Sequence, residues 1–126
     1  DGDVLLHAIT DAIFGAIGAG DLGRHFPPNN KIFKNKNSTF FLEKGLSLIN
    51  KKNACIINLD LNLICDYPKI TPLKKNIVKN LSKLMNLDIH RINLKATSTE
   101  DEGFINSKNG IAAQAIISIE VPKDER

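Results

Sequence analysis

Three polar side chains with four-residue spacing stand near the start of the chain and suit metal binding. In DGDVLLHAITDAIFGAIGAGDLG, Asp3, His7 and Asp11 occur among Leu, Ile and Ala. Side chains at i, i+4 and i+8 of a helix lie along one face, so the imidazole would have a carboxylate one turn away on each side. Asp11 could accept one ring N–H of His7, which fixes the tautomer and leaves the other nitrogen for a metal ion. The alternative is a core or surface histidine without a ligand, because neither His25 nor His90 has metal-ligand spacing to His7.

A second group of candidate residues lies in KATSTEDEGF, where three hydroxyls, Thr97, Ser98 and Thr99, precede Glu100. The segment follows an apolar strand pattern, so we expect these hydroxyls at a strand end. Hydroxyl groups and exposed backbone N–H groups can bind phosphate oxygens. A carboxylate beside them can hold a divalent cation that bridges the phosphates. The alternative is a Ser/Thr-rich helix cap, which uses the same residue types.

Length and composition indicate one domain over residues 1–126 with a sizeable apolar core. The chain has 126 residues, 42% of them apolar, and no uncharged apolar run long enough to span a membrane. The net charge of +3 comes from dispersed lysines, and the aromatic residues are six Phe and one Tyr. A nucleic-acid interface would need clustered cations and stacking aromatics, so we expect neither nucleic-acid nor membrane binding. The sequence begins within a helical pattern at Asp1, with no basic segment or capping residues ahead of it, so we expect the N-terminus to lie upstream.

The elements that must position these residues follow from hydrophobic periodicity. Gly, Pro and Asn are dense between the first two helical patterns, which predicts a surface loop there. The predicted order is helix 3–18, irregular stretch 19–37, helix 38–51, strand 54–65, helix 72–85, strand 90–97, a loop and strand 111–121. The predicted buried residues of the first helix are Leu5, Leu6, Ile9, Ala12, Ile13 and Ala16.

The segment ACIINLDLNLICD alternates apolar and polar residues with a period of two. This pattern predicts a strand with one buried face and one polar face. The buried face would contain Cys55, Ile57, Leu59, Leu61, Leu63 and Cys65, and the polar face would contain Asn58, Asp60, Asn62 and Asp66. The two cysteines would share a face as buried thiols, with a disulfide or a metal pair as the alternative. A polar sheet face suits association with copies of the same chain.

The segment TPLKKNIVKNLSKLM predicts an amphipathic helix that covers a sheet. Thr71 is its predicted N-cap and Pro72 its first helical residue. The predicted inward residues are Leu73, Ile77, Leu81 and Leu84. Strands separated by helices in so short a chain predict an α+β fold. We expect a two-layer α/β sandwich in which helices cover one face of a mixed four-stranded sheet.

Five segments together resemble the 2-C-methyl-D-erythritol 2,4-cyclodiphosphate synthase family. They are DGDVLLHAITDAIFGA, GDLGRHFPPNN, YPKITP, INLKATSTEDEGF and NGIAAQA, and their order and distances match over nearly the whole chain. Several motifs in register are far more specific than any one of them. The resemblance implies a homotrimeric α/β enzyme of the non-mevalonate isoprenoid pathway, with active sites between neighbouring subunits.

The reaction that the resemblance implies is a cyclisation without a protein nucleophile. In 4-diphosphocytidyl-2-C-methyl-D-erythritol 2-phosphate, the 2-phosphate attacks the β-phosphorus, CMP leaves and the cyclic diphosphate forms. Two anions must approach each other, so catalysis consists of positioning and charge neutralisation. The implied cofactors are zinc, or a similar divalent transition metal, and magnesium or manganese.

The resemblance also implies roles for individual residues. His7 matches a zinc ligand, and the stripe places Asp3 and Asp11 where they could orient its ring. Glu100 matches the carboxylate that binds the second divalent ion, and Ser98 replaces a threonine that stabilises the transition state. The implied contacts to the methylerythritol hydroxyls are Asp21, Leu22 and Gly23, followed by the loop residues Phe26, Pro27, Pro28, Asn29 and Asn30. The implied contacts to cytidine and diphosphate are Cys65, Asp66, Tyr67, Pro68, Lys69, Ile70 and Thr71. Thr97 and Thr99 would contact phosphate and nucleotide, and Phe104 would line a central apolar cavity.

The sequence departs from the family pattern at three places. The family's zinc site also needs an Asp-x-His pair from a preceding strand and hairpin, which lies outside this sequence. Pro28, Asn29 and Asn30 stand where the family loop usually carries aspartates. Ser107, followed by Lys108, replaces a basic residue. Fewer residues of the family pattern are therefore matched for recognition of the erythritol than for binding of zinc and the nucleotide.

The implied partners are a cytidine diphosphate substrate, further copies of the chain and an isoprenoid ligand in the central cavity. A residue bias typical of an AT-rich genome favours a plastid-type organelle, with bacterial cytoplasm as the alternative. The alternative function is a non-catalytic nucleotide-binding or scaffold trimer of the same fold, because such a protein would share CDYPKIT and KATSTE.

Overall fold

Four helices and three strands make up the part of the chain that the computed structural model describes, residues 2–27, 29, 36–66, 69–98 and 110–123. The elements are α1 (Gly2–Ala16), α2 (Leu22–His25), α3 (Ser38–Lys51), β1 (Cys55–Cys65), α4 (Lys74–Met85), β2 (Ile92–Thr97) and β3 (Ile111–Glu120), with 3-10 turns at Thr71–Leu73 and Ile89–Arg91. None of the helices in these ranges has the length and apolar character that a membrane crossing requires.

The first helix ends two residues before its predicted end because Gly18 adopts a left-handed conformation with φ of +68°. The N–H of Ala19 donates to the carbonyl of Phe14 at 2.8 Å, and the N–H of Gly18 donates to that of Gly15 at 3.1 Å. These two bonds form a Schellman motif, which satisfies carbonyls at the helix end. The prediction for α3 is confirmed at both ends, and the predicted irregular stretch contains the short helix α2.

The three strands form one mixed sheet in the order β2-β1-β3. Strands β1 and β2 run parallel, and β1 and β3 run antiparallel. The predicted mixed sheet is confirmed, but the prediction of four strands is wrong for the described residues. Only three of the described segments have a strand pattern in their sequence, so only three pair. Because β1 is the central strand, its side chains lie beside those of both β2 and β3.

A β-bulge in β1 changes which residues face the core. Ile56 pairs with Ile119 and Asn58 pairs with Ser118, so Ile57 is an extra residue in β1. An extra residue reverses the alternation of side chains beyond it. Leu59, Leu61, Leu63 and Cys65 are buried as predicted, whereas Cys55 and Ile57 are exposed. The prediction that both cysteines share a buried face is therefore wrong, and both are thiols rather than a disulfide.

Helix α4 faces the sheet with a different row of residues from the predicted one. Its N-terminus is a 3-10 turn at Thr71–Leu73 preceded by Ile70, and no side chain caps it, so the prediction of Thr71 as N-cap is wrong. Leu81 and Met85 are buried, with Ile77 and Val78 packed against the core. Leu73 and Leu84 are 42% and 37% exposed. Successive helical residues are roughly 100° apart, so Leu84 points away when Met85 points inward.

One face of the sheet carries the helices and the apolar core. Helix α1 packs against β3 and α3, and α4 packs against β2. Close approach of α1 and α3 depends on Gly45, where a Cβ atom would lie 3.2 Å from Ile13 Cγ2. Ala16, predicted to face inward, is exposed. The fully buried apolar side chains that the structure describes are Ile9, Ile13, Phe14, Leu42, Leu59 and Leu61. The predicted two-layer arrangement is confirmed.

Candidate active site

The sheet face away from the core carries a polar network made of two groups of hydrogen-bonded side chains. Lys95 Nζ on β2 lies 2.8 Å from Asp60 Oδ2 on β1, and Asn93 Nδ2 donates to Asp60 Oδ1 at 3.0 Å. Asn62 Nδ2 donates to Gln114 Oε1 on β3 at 3.4 Å. The hydrogen bonds from Lys95 and Asn93 hold the pKa of the Asp60 carboxyl below its ordinary value. Asp60 is therefore an anion held beside a cation on this face.

A cavity of about 660 Å³ is lined by helix α1, by polar side chains of this face and by β3, including Ala113 and Ala115. His7 and Asp11 line it from α1, together with Asp60, Asn62 and Lys95 from the sheet. The structure thus brings two members of the predicted stripe to the polar side chains of β1. Among the described residues, His7 and Asp11 form no hydrogen bond with each other. Asp3 is exposed on α1 and does not line the cavity.

The described residues supply one candidate zinc ligand but not a closed zinc site. His7 is exposed to the cavity, which suits an imidazole that binds a metal ion. No group of three or more His, Cys, Asp or Glu side chains capable of holding a metal ion occurs in the ranges that the structure describes. Tetrahedral zinc needs three or four protein ligands. Among the described residues, His7 therefore supplies at most one ligand of such a set.

At one edge of the sheet, the start of the predicted cytidine segment, Cys65 and Asp66, meets the hydroxyls of Thr97 and Ser98. Because β1 and β2 are parallel and Ile64 is in register with Thr97, both strands end at that edge. Ser98 Oγ, just after β2, donates to Asp66 Oδ1, just after β1, at 2.6 Å. Thr97 Oγ1 donates to Asn62 Oδ1 at 2.9 Å. Asn62 also lines the cavity beside His7, so the hydrogen bond from Thr97 connects the hydroxyl segment to a residue of that cavity.

The remaining predicted residues of these two segments differ in burial. Among those described, Cys65 and Ile70 are buried, Asp66 is half-buried, and Lys69, Thr71, Thr97 and Ser98 are exposed. Thr97 belongs to a strand and Ser98 follows it, so the alternative of a helix cap gains no support for these two. Tyr67, Pro68, Thr99, Glu100, Phe104, Ser107 and Lys108 lie outside the described residues.

The predicted methylerythritol segment forms a short capped helix. Asp21 Oδ1 accepts a hydrogen bond from the Arg24 N–H at 3.0 Å, so Asp21 is the N-cap of α2. His25 Nε2 donates to the Ala19 carbonyl at 2.6 Å, and its ring centroid lies 4.8 Å from that of Phe14. These contacts fix the backbone around the segment. Leu22 and Gly23 lie in α2, Phe26 and Pro27 follow it, Asn29 is an exposed turn residue, and Pro28 and Asn30 lie outside the described residues.

Comparison with known protein families supports the sequence resemblance. The sequence pattern of the YgbB family matches residues 1–120. The chain belongs to the YgbB family. This match covers both segments that meet at the sheet edge as well as helix α1.

Relatives of this YgbB-family chain fall into two groups by length. The bifunctional enzyme IspD/IspF of Caulobacter vibrioides is 41% identical over 122 residues, which are 97% of this chain and 32% of that protein. The chain spans about a third of the length of such bifunctional relatives. The 2-C-methyl-D-erythritol 2,4-cyclodiphosphate synthase of Anaplasma phagocytophilum is 41% identical over 117 residues, which are 93% of this chain and 70% of that protein.

Solved structures share the YgbB-family fold described above. The bifunctional IspDF of Campylobacter jejuni has a TM-score of 0.88 and 37% identity, covering 100% of this chain and 34% of that chain. The CDP complex of IspF from Plasmodium falciparum has a TM-score of 0.81 and 39% identity. The match covers 96% of this chain and 72% of that chain. The family resemblance and the α/β architecture predicted from the sequence are confirmed.

Three polar residues of the sheet face in this YgbB-family chain were missed by the sequence interpretation. Asn93, Lys95 and Gln114 join its hydrogen bonds, although none of them stands in the segment that revealed that face. The period-two alternation of β2 and β3 carries the signal, because Asn93, Lys95 and Thr97 alternate with buried Ile92 and Leu94. Their strand partners become known only from the sheet order and register.

Proposed function

We propose that this chain cyclises 4-diphosphocytidyl-2-C-methyl-D-erythritol 2-phosphate to 2-C-methyl-D-erythritol 2,4-cyclodiphosphate with release of CMP, as a phosphorus–oxygen lyase. The observation that carries the proposal is the meeting of Asp66, from CDYPKIT, and Ser98, from KATSTE, at one sheet edge, joined by their hydrogen bond. The YgbB-family match and a cyclodiphosphate synthase 41% identical to this chain support it. Two similar solved structures, a 2C-methyl-D-erythritol-2,4-cyclodiphosphate synthase and IspF of Plasmodium falciparum, are complexes with CDP.

The residues of the chain act by holding the substrate rather than by attacking it. The backbone after β1 binds the cytidine, while Lys69 and the hydroxyls after β2 approach the phosphates. The segment fixed by Asp21 and His25 orients the methylerythritol, so that the 2-phosphate lies in line with the β-phosphorus. Holding both groups in reacting geometry removes the entropy cost of their encounter. This geometry makes an intramolecular attack the favoured reaction.

Divalent cations supply neutralisation of the charge that builds up between the approaching phosphates. His7 would hold zinc together with ligands outside the described residues, and Asp3 and Asp11 would orient its ring. Glu100 would hold magnesium or manganese, since a carboxylate oxygen suits a hard cation. Lys95 and Asp60 already neutralise each other on the sheet face. Neutralisation of the phosphates would therefore depend on the cations that His7 and Glu100 would hold.

A direct assay tests the proposed reaction. The full-length protein with zinc and magnesium should convert the diphosphocytidyl substrate to equal amounts of CMP and cyclic diphosphate. Phosphorus NMR distinguishes the cyclic product from a hydrolysed, open-chain one. A protein that binds CDP without forming either product would instead support the alternative, a nucleotide-binding or scaffold protein of the same fold.

The active form is proposed to be a trimer in which the polar sheet faces meet around an axis. Ile116 lies on that face and is 70% exposed, although it is flanked by the polar network. An apolar side chain on an uncovered face suits burial against copies of the same chain. Such an assembly would bring residues of a neighbouring subunit to the open cavity beside His7. It would also enclose the proposed central cavity for an isoprenoid ligand.

Solution mass tests the trimer. A chain of 13.9 kDa should yield particles of three chains by light scattering. Ile116→Glu should shift the particles toward monomer, because burying an unpaired carboxylate costs several kcal/mol, on the order of 3–5. Ile89→Glu is the matched control, since Ile89 is 42% exposed on a different surface. A wild-type monomer, or equal effects of both substitutions, would contradict this assembly.

The proposed location is a bacterial cytoplasm. The relatives described above with curated names are bacterial proteins, from Caulobacter vibrioides and Anaplasma phagocytophilum. They favour the second of the two locations considered from the sequence. The plastid-type organelle draws no support from them.

A further inference from the structure

Strand β2 forms one edge of the sheet, and among the described residues it pairs with β1 alone. An edge strand has a row of backbone N–H and C=O groups directed away from the sheet, which a further strand can bind, and proteins commonly block such an edge with a charged side chain. The only charged residue of β2, Lys95, lies 2.8 Å from Asp60 and is held toward β1 instead. With 6 residues, Ile92–Thr97, β2 is long enough to accept an added strand.

An apolar groove lies beside this edge, between α4 and β2. Its volume is about 490 Å³, and its apolar lining consists of Val78, Ile89, Ile92 and Leu94. Ile89 is 42% exposed. Side chains of a strand point alternately to the two faces of a sheet, so every second side chain of an added strand would face the groove. The groove thus offers a site for an apolar side chain next to a backbone that can pair.

Three lysines, Lys74, Lys75 and Lys79, line the same groove. Helix α4 contains no acidic residue, and none of these lysines forms an ion pair with another described residue. Lys75 and Lys79 are about one helical turn apart, roughly 6 Å along the axis. Side chains two positions apart on a strand are separated by a similar distance, roughly 6.6 Å. Two acidic side chains with that strand spacing could therefore each approach a lysine.

We propose that the edge of β2 and its groove bind an extended segment of a partner protein, with acidic and apolar side chains, by strand addition. Backbone hydrogen bonds to β2 would supply affinity, and the groove and its lysines would supply specificity. A nucleic acid fits less well, because no aromatic side chain for base stacking is among the described residues of the groove. The groove shares no lining residue with the cavity beside His7, so the inference does not depend on the proposed reaction.

A synthetic nonapeptide, in which threonine alternates with glutamate and one central valine, serves as the probe. Calorimetry should show that the full-length protein binds it. Lys75→Glu combined with Lys79→Glu should weaken binding by about 10-fold or more, because two attractions become repulsions. Lys51→Glu combined with Lys52→Glu is the matched control, since these exposed lysines lie outside the groove. It should keep the wild-type affinity within about twofold, and both double variants should keep wild-type turnover.

N-methylation of the peptide distinguishes strand addition from attraction of charges alone. Alternate residues of an added strand direct their N–H groups toward its neighbour. One peptide is methylated at the threonine amides and a second at the amides between them. One of the two should lose detectable binding, and the other should bind within about threefold of the unmodified peptide.

Four results would overturn the proposal. Equal effects of the two methylation patterns would mean that the backbone of β2 takes no part. Equal losses in the two lysine variants would mean that the net charge of the protein, and not the groove, attracts the peptide. A lower particle mass of the Lys75→Glu, Lys79→Glu variant by light scattering would identify the groove as a contact between copies of this chain. Absence of binding to the wild-type protein would exclude this surface as a site for acidic strands.

Discussion

His7→Ala should abolish zinc binding and cyclisation while the fold stays intact. His7 is exposed on α1 at the cavity, so its removal leaves no void in the core and no buried group unpaired. Loss of a direct ligand should cost more than the roughly 10- to 100-fold that loss of an orienting group costs, so we expect turnover to fall by more than about 100-fold. Elemental analysis of the full-length protein measures zinc per chain, beside steady-state turnover.

The control for His7→Ala is His90→Ala. His90 is also exposed, and it lies in the 3-10 turn Ile89–Arg91, away from the cavity. Both variants should unfold thermally within a few degrees of wild type, about what a surface change produces. Zinc retained in His7→Ala at the wild-type level would mean that the polar stripe on α1 serves the surface or the fold and not the metal.

Glu100→Gln should lower turnover by about 100-fold or more and leave CMP affinity within about twofold of wild type. The amide keeps the size of the side chain but removes the charge that attracts a hard cation. The cation that Glu100 would hold would neutralise charge as the two phosphates approach, so its loss should act on the chemical step. The cytidine is held by the segment after β1, which this substitution does not touch. Calorimetry with CMP and steady-state kinetics give the two quantities.

The matched control for Glu100→Gln is Glu120→Gln. Glu120 is an exposed carboxylate at the end of β3, where it contacts the Cys55 thiol at 3.9 Å. This variant should keep both turnover and CMP affinity. Equal losses of turnover and affinity in Glu100→Gln would identify Glu100 as a nucleotide contact. Unchanged turnover would identify it as a residue outside the reaction.

Element type could be predicted from the sequence wherever periodicity was long and regular. Helix α3 occupies the predicted residues, and the predicted strands were found with ends shifted by one or two residues. Predictions were wrong where backbone geometry, rather than side-chain type, determines which residues face the core. The bulge at Ile57 left Cys55 exposed although its apolar pattern was regular. The 3-10 turn before α4 placed Leu73 outside the core although it follows a suitable cap and proline.

The candidate site was foreseen as separate segments rather than as a constellation. Local spacing identified His7 with Asp11, and local composition identified the hydroxyls around Ser98. Spacing cannot give distances between residues far apart in the chain, so the partner of Ser98 was not predicted. Asp66 was assigned to the cytidine segment, and only the structure places its carboxylate 2.6 Å from the Ser98 oxygen.

The sequence by itself determined the family, the helix that presents His7 and the two motifs that suit a nucleotide and its phosphates. Each of these depends on residue types within one segment, which periodicity and motif spacing record directly. Only the tertiary structure decided that the motifs meet, because the parallel pairing of β1 and β2 brings together residues 32 positions apart. It also decided that His7 and Asp11 line one cavity together with the Asp60–Lys95 pair. Strand order and register are set by packing of the whole chain, so no single segment contains them.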